Sequence, residues 1–124
     1  MSASKDRGTM GERAARAYLE GKGLCFVEAN LRVGRDEIDL LMRDGETLVF
    51  VEVKLRLDLH QAPFAVDVAK QRRISRAAVV YMAKHGLLGR AARFDVVSVG
   101  FDGTQMDIRH IEDAFPLARG RYFI

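Results

Sequence analysis

The chain has no tryptophan, one cysteine and two prolines among its 124 residues. One thiol cannot close an internal disulfide and cannot alone build a structural zinc site, which excludes a small secreted disulfide scaffold and makes a reducing cytoplasm the expected setting. Pro63 and Pro116 fall between candidate elements, so neither interrupts a helix or strand. Apolar runs are short: Leu48 to Val51 is bounded by Thr47 and Glu52, far below the ~20 residues a membrane helix needs. Met1 to Leu19 carries Asp6 and Glu12 and no apolar core, so neither a signal peptide nor a membrane partner is expected. Internal repeats and low-complexity tracts are also missing.

With 48% hydrophobic and 30% charged residues, the chain holds enough apolar surface to close one core, which disfavours disorder. Its length fits one domain over 1–124, with flexible ends at 1–8 and 117–124, and excludes a multi-domain enzyme. The net charge of +3 hides two opposite blocks: residues 28–52 hold seven acids against three bases, a balance of −4, and residues 56–93 hold eight bases against two acids, a balance of +6. An acidic stretch is followed by a basic one.

Thr9 to Lys22 reads as a helix, with Ala14, Ala15, Tyr18 and Leu19 on one face, Gly21 and Gly23 as stops, and Thr9 with Glu12 in the spacing of a capping box. Leu24 to Ala29, Glu37 to Arg43 and Thr47 to Arg56 read as strands. Asp44-Gly45 marks a hairpin between the last two. A loop from Leu57 to Pro63 leads to an amphipathic helix over about 66–85, with Val68, Ile74, Ala78, Tyr81 and Met82 on one side and Lys70, Arg72, Arg73, Arg76 and Lys84 on the other. Ala92 to Val99 and Gln105 to Ile111 close the set as strands. The order α, β, β, β, α, β, β predicts a mixed sheet with helices packed on it.

A two-residue Asp44-Gly45 loop would set Ile38 opposite Val51 and Leu40 opposite Val49. One hairpin face then carries Ile38, Leu40, Val49, Val51, Val53 and Leu55, and the other carries Glu37, Asp39, Leu41, Leu48, Phe50, Glu52 and Lys54. The second face is apolar near the turn and charged at its far end. Carboxylates gathered on one face repel unless a positive charge sits among them. Asp39 and Glu52, diagonal neighbours roughly 7–8 Å apart on this register, have a span that two carboxylates bridge to one ion. All-oxygen ligation suits Mg²⁺ or Mn²⁺, and no His or Cys cluster points to zinc. Lys54, two residues beyond Glu52, points the same way and suits the stabilisation of developing negative charge. Metal-assisted phosphodiester hydrolysis is the chemistry such a set performs.

The segments Gly11-Glu12, Ala17-Tyr18-Leu19, Asn30-Leu31-Arg32, Glu37-Ile38-Asp39-Leu40-Leu41, Val49-Phe50-Val51-Glu52-Val53-Lys54, Lys70 with Arg73-Ile74, and Arg93-Phe94-Asp95-Val96-Val97 together resemble the YraN-type family of small bacterial proteins. The resemblance covers roughly residues 8–100. It implies the restriction-endonuclease-like fold of the PD-(D/E)XK superfamily, similar to archaeal Holliday-junction resolvases. It further implies a nuclease site with Asp39 and Glu52 as metal ligands, Lys54 as the catalytic lysine and Glu12 as an additional acid; Val53 joins the candidate metal-binding set, and Glu37, on the same strand face, is a candidate supporting acid. Asp36 stands where that family usually carries glycine.

Lys70, Arg73 and Arg76, with Arg32, are the candidate contacts to a nucleic-acid backbone. The expected partner is DNA, with RNA an open alternative, and cleavage of both strands would call for a homodimer. A catalytically silent nucleic-acid-binding module and a protein-binding scaffold are the competing readings. His60, His85 and His110 receive no ligand role, Cys25 reads as a small core residue, and Tyr122 and Phe123 read as packing or an interaction tail.

Overall fold

The computed structural model describes residues 3–60 and 66–117, with side chains from residue 9 onward. Pro63, Tyr122 and Phe123, and residues 1–2 and 118–124 of the ends expected to be flexible, lie outside the described residues, while residues 3–8 belong to the first helix. The elements are α1 (Ala3–Gly21), β1 (Cys25–Val33), β2 (Asp36–Asp44), β3 (Thr47–Arg56), α2 (Val68–Lys84), β4 (Ala92–Phe101) and β5 (Met106–Phe115). The protein is mixed α/β in the expected order, with one sheet arranged β1-β2-β3-β4-β5. Neighbours are antiparallel except β3 and β4, which run parallel and are joined through α2. A parallel pair needs such a crossover, and it is buried on both faces, which explains the near-continuous apolar runs of β3 and β4. No described helix is long and apolar enough to cross a membrane.

Alternation along β3 divides the core in two. Leu48 and Phe50 pack with Ile74, Ala78, Tyr81 and Met82 of α2, while Val49 and Val51 pack with Ala15 and Leu19 of α1. Phe50 lies edge-on to Tyr81 at 6.1 Å, and Phe94 stacks on Phe115 at 5.0 Å. At the far end of β3, Arg56 is fully buried and donates to Ser98 Oγ at 2.6 Å, the Leu59 carbonyl at 3.2 Å and Asp107 at 2.8 Å. A Cβ at Gly100 would stand 2.7 Å from Leu59 Cδ2 and 3.0 Å from the Arg56 guanidinium. The leucine can move, but the guanidinium is pinned by three acceptors. Gly100→Ala is therefore expected to cost about 1–3 kcal/mol in urea unfolding, as overpacking does.

Five expectations are corrected. α1 starts at Ala3, so Thr9 lies inside the helix and forms no capping box with Glu12; a glycine such as Gly8 weakens a helix by about 1 kcal/mol without ending it. The hairpin pairs run from Leu40↔Val51 to Asp44↔Thr47, so the loop is Gly45-Glu46 and not Asp44-Gly45. Gly45, at φ +61, takes the first central position that favours glycine. The slip of two residues keeps parity, so β3 presents the same faces, but Leu40 and not Ile38 meets Val51.

Third, Ile38 does not share the face of Leu40: it packs with Leu31 and Leu41 on the α2 side. Val68, the fourth case, follows the Asp67 N-cap and is 59% exposed, because the buried stripe of α2 begins only at Ile74. Cys25 is exposed, since the inward position at the start of β1 is taken by Leu24.

Candidate active site

The sheet forks where β2 leaves β3. Ala29 and Leu40 pack on the α1 side, yet Leu31 and Ile38, two residues along, pack on the α2 side. Strict alternation would put each pair on one face, so both strands change face at Asn30 and Asp39. Asn30 accommodates the turn-over with a left-handed φ of +54, which asparagine tolerates better than most residues. The β2–β3 pairing ends at Leu40↔Val51. One step further, Asp39 Oδ2 accepts the Val53 N–H at 2.7 Å, so a carboxylate takes over from a backbone carbonyl. Val53 thus contributes through its main chain.

The fork gathers most of the residues singled out from sequence. Glu52 is buried in the middle strand, and its side chain hydrogen-bonds Asp39. Lys54 lies with Glu52, Val53, Leu55, Val66 and Lys70 around a depression of about 280 Å³. From the other side, α1 crosses the end of β3 at Gly11, where a Cβ would meet Leu55 at 3.5 Å. This crossing brings Glu12 to Asn30, whose side chain hydrogen-bonds it, and within the field of Asp39 and Glu37. Burial first, then Asp39, raise the Glu12 carboxyl above its ordinary value, with the Asn30 hydrogen bond opposing. Glu37 is exposed and sits directly across from Arg32 on β1.

Two of the basic helix residues answer acids of the sheet. Lys70 Nζ is 2.7 Å from Glu52 Oε1. Arg76 grips Asp36 with two bonds of 2.9 Å. The acidic and basic stretches of the sequence therefore meet across the α2–sheet contact, while Arg72 and Arg73 remain exposed.

Burial and then the neighbouring Asp39 charge push the Glu52 carboxyl up to about 7, against the hydrogen bond and charge of Lys70. Asp39 is raised as well, by burial first, with the Val53 N–H and Glu52 hydrogen bonds and Lys70 pulling the other way. The shared bond lowers Asp39 and raises Glu52, so Glu52 is the member that holds the proton. Between the ordinary value of 4.5 and about 7, the folded chain keeps a proton that the unfolded chain has released. Stability is therefore expected to fall as pH rises through that window, by on the order of 2–3 kcal/mol. Urea unfolding at pH 5 and pH 8 without divalent cations reads this slope, and Glu52→Gln should flatten it.

The donor set fits a hard divalent ion. Among the described residues no three His, Cys, Asp or Glu side chains converge into a protein-only cage. Two carboxylates beside an open depression are instead the arrangement by which Mg²⁺ or Mn²⁺ is held while retaining waters. The Lys70 ammonium already stands against Glu52 as a cation.

A second polar cluster had gone unread. Asp95 is fully buried and accepts from Arg93 Nε at 3.0 Å, His110 Nε2 at 2.7 Å and the Asp113 N–H at 3.0 Å. Asp113 has φ +52 at a bulge in β5, which turns its amide toward Asp95. Lys22 Nζ lies 2.9 Å from His110 Nδ1, and an ammonium only donates, so His110 keeps its hydrogen on Nε2 and gives it to Asp95. The available signal was an aspartate inside the apolar run Phe94 to Val97, which must find donors when buried. Asn30 was legible only as part of a motif.

A mixed sheet forked at a paired aspartate and glutamate, with lysines of β3 and α2 around the pair, defines a small α/β protein with a buried carboxylate centre under a basic helix. The chain belongs to the uncharacterised protein family UPF0102, which matches residues 11–99 and so includes every residue of the fork. It is 46% identical over 117 residues to the UPF0102 protein of Geobacter metallireducens, covering 93% of this chain and 96% of that one. The UPF0102 protein of Chromohalobacter salexigens is 46% identical over 114 residues, covering 90% and 92%. Among solved structures, Pyrococcus furiosus SfsA in complex with Ca²⁺ aligns at a TM-score of 0.41 and 15% identity over 89% of this chain. The chain spans 63% of the length of that structure.

Proposed function

We propose that this protein is a Mg²⁺- or Mn²⁺-dependent nuclease of the PD-(D/E)XK type that hydrolyses phosphodiesters of DNA, with branched DNA as the substrate class. The observation that carries the reading is the fork itself: Asp39 and Glu52 share a hydrogen bond at a strand separation, beside Lys54 and the Lys70 ammonium. A buried glutamate held against a half-buried aspartate has its proton affinity raised, a cost that natural folds retain mainly where chemistry uses it.

Asp39, Glu52 and the main chain of Val53 would hold the ion. When bound, the ion supplies charge neutralisation at the scissile phosphate and an acidified water. Lys54, on the rim of the same depression, offsets negative charge that develops on the phosphate oxygens. Glu12 adds a carboxylate from α1, held by Asn30. Arg72 and Arg73 on α2 and Arg32 on β1 are exposed and available to backbone phosphates. A DNA polyanion approaching Glu12, Glu37, Asp39 and Glu52 is repelled until positive charge is added there, so binding near the fork depends on the cation.

The test is purified protein on linear, flapped and four-way-junction DNA and matched RNA with Mg²⁺ or Mn²⁺, beside Asp39→Ala, Glu52→Ala and Lys54→Ala. Cleavage of branched DNA, lost in all three variants, is expected. Cleavage that persists in all three overturns the proposal. The second reading, a silent nucleic-acid-binding module, is favoured by the commitment of Lys70 to Glu52. It predicts salt-sensitive DNA binding that needs Arg73 and ignores metal.

A further inference from the structure

The two ion pairs that α2 makes with the sheet are built differently. Arg76 holds Asp36 through Nε and a second guanidinium nitrogen, both at 2.9 Å, a fork-to-carboxylate clamp that fixes the helix on β2. Lys70 touches Glu52 at one point, 2.7 Å, with a flexible stem and a compact ammonium. Its position in the first turn of α2 is fixed independently, because the Asp67 N-cap accepts the Lys70 backbone N–H at 2.8 Å. Burial does not separate the two pairs, since the Glu52 and Asp36 side chains are each 9% exposed and those of Lys70 and Arg76 are 45% and 46% exposed; the difference lies in the single contact against the clamp. The acid is confined, and the ammonium stands at the mouth with solvent beside it.

Resting on the metal reading above, we infer that Lys70 is the resident counter-ion of the Asp39–Glu52 pair and that a divalent cation reaches these carboxylates by displacing it. The geometry allows the exchange without moving any element. The Arg76 clamp and the Asp67 cap hold α2 while the Lys70 side chain swings out through the depression it shares with Glu52 and Lys54. Before metal arrives, the ammonium meets the need for positive charge beside Glu52 and Asp39. Afterwards the same ammonium is released at the mouth of the site, on the side where a phosphate backbone would approach. Lys70 thus competes with the ion, and the pair has one cation beside it before and after the exchange.

Calorimetric titration of the full chain with MnCl₂ at pH 8 tests this, comparing the wild type with Lys70→Met and Arg73→Met. Arg73→Met removes the same charge from the same helix at a neighbouring exposed position. Loss of a contact at a merely structural lysine would weaken or leave unchanged the binding of metal. Displacement instead predicts that Lys70→Met binds Mn²⁺ about tenfold more tightly, as removal of a competing charge a few ångströms from the ligands should allow. Arg73→Met should change the affinity less than about twofold, because its guanidinium is exposed to solvent and its charge is screened. Lys70→Gln takes the place of the methionine variant if circular dichroism shows that variant unfolded. Wild-type binding with equal or weaker binding by Lys70→Met and Lys70→Gln overturns the inference and leaves the metal reading standing. Equal tightening by Lys70→Met and Arg73→Met also overturns it, because the effect would then be general charge. Absence of Mn²⁺ binding in every form overturns the metal reading and this inference with it.

Discussion

Asp39→Asn is expected to raise stability and abolish metal binding together. The amide keeps an oxygen for the Val53 N–H, so the 2.7 Å bond that closes the fork survives. It removes the charge that, after burial, does most to raise Glu52. At pH 8 the variant should therefore unfold at higher urea concentration than the wild type, by on the order of 1 kcal/mol, with the Glu52 carboxyl moved toward its ordinary range. Mn²⁺ affinity should fall by more than about 100-fold, beyond what loss of an outer-sphere partner costs, and DNA cleavage should fall with it. Gain of stability with loss of function marks an acid kept for chemistry. A variant that is destabilised, or that binds Mn²⁺ as the wild type does, would show that Asp39 is retained for the fold.

Asp95→Ala is expected to lower the unfolding free energy by about 3–5 kcal/mol, the range for removing one member of a buried charged network. It strands the His110 Nε2–H and the Asp113 N–H, and removes one of the two carboxylates that Arg93 hydrogen-bonds, leaving Asp44 at 2.9 Å. Burial alone would raise the Asp95 carboxyl, but hydrogen bonds from His110, Arg93 and the Asp113 backbone hold it below the usual carboxylate range. A depressed carboxyl stabilises fully above its unfolded value, ordinarily 3.8, and loses that contribution as pH falls through the folded value. The wild type should thus weaken steeply in acid below about pH 4, and Asp95→Asn should weaken less steeply from a lower plateau. Urea titrations between pH 3 and 6 separate this from the opposite slope of Glu52. The two acids together place maximum stability of the metal-free chain on the acid side of neutrality.

Much of the fold and part of the site could be read before the structure. Periodicity found the seven elements because β3 and β4 are apolar on both faces and α2 is amphipathic, patterns that burial writes directly into composition. The faces of β3 survived an error of two in the hairpin register, since a slip of two preserves parity. Ile38 escaped because it depends on a backbone event at Asn30 that no hydrophobic pattern records. Glu12 reached the fork for a reason local signals opposed: the Thr9-x-x-Glu12 spacing pointed to a helix start, and the chain before it is helical as well. Lys70 and Arg76 read from sequence as candidate contacts to a nucleic-acid backbone, and only the seating of α2 on the sheet shows that each meets an acid. The Asp95 network joins β4 and β5 to Lys22 just past α1, distances along the chain over which a single sequence gives no pairing information.

The parallel pairing of β3 with β4 also fixes when the charges of the centre meet during folding. Asp39 and Glu52 lie at the end of one local hairpin, whose closure has a small entropic cost, whereas Lys70 lies on the crossover helix between β3 and β4, whose seating on the sheet is a longer-range event. Two acids therefore converge ahead of their cation. Asp39→Asn should accelerate refolding at pH 8 in stopped-flow mixing, steepening no slope but raising the whole folding arm of the chevron. Lys70→Met should act chiefly on the unfolding arm. Those two outcomes together would mark the carboxylate centre as an electrostatic barrier in the folding reaction.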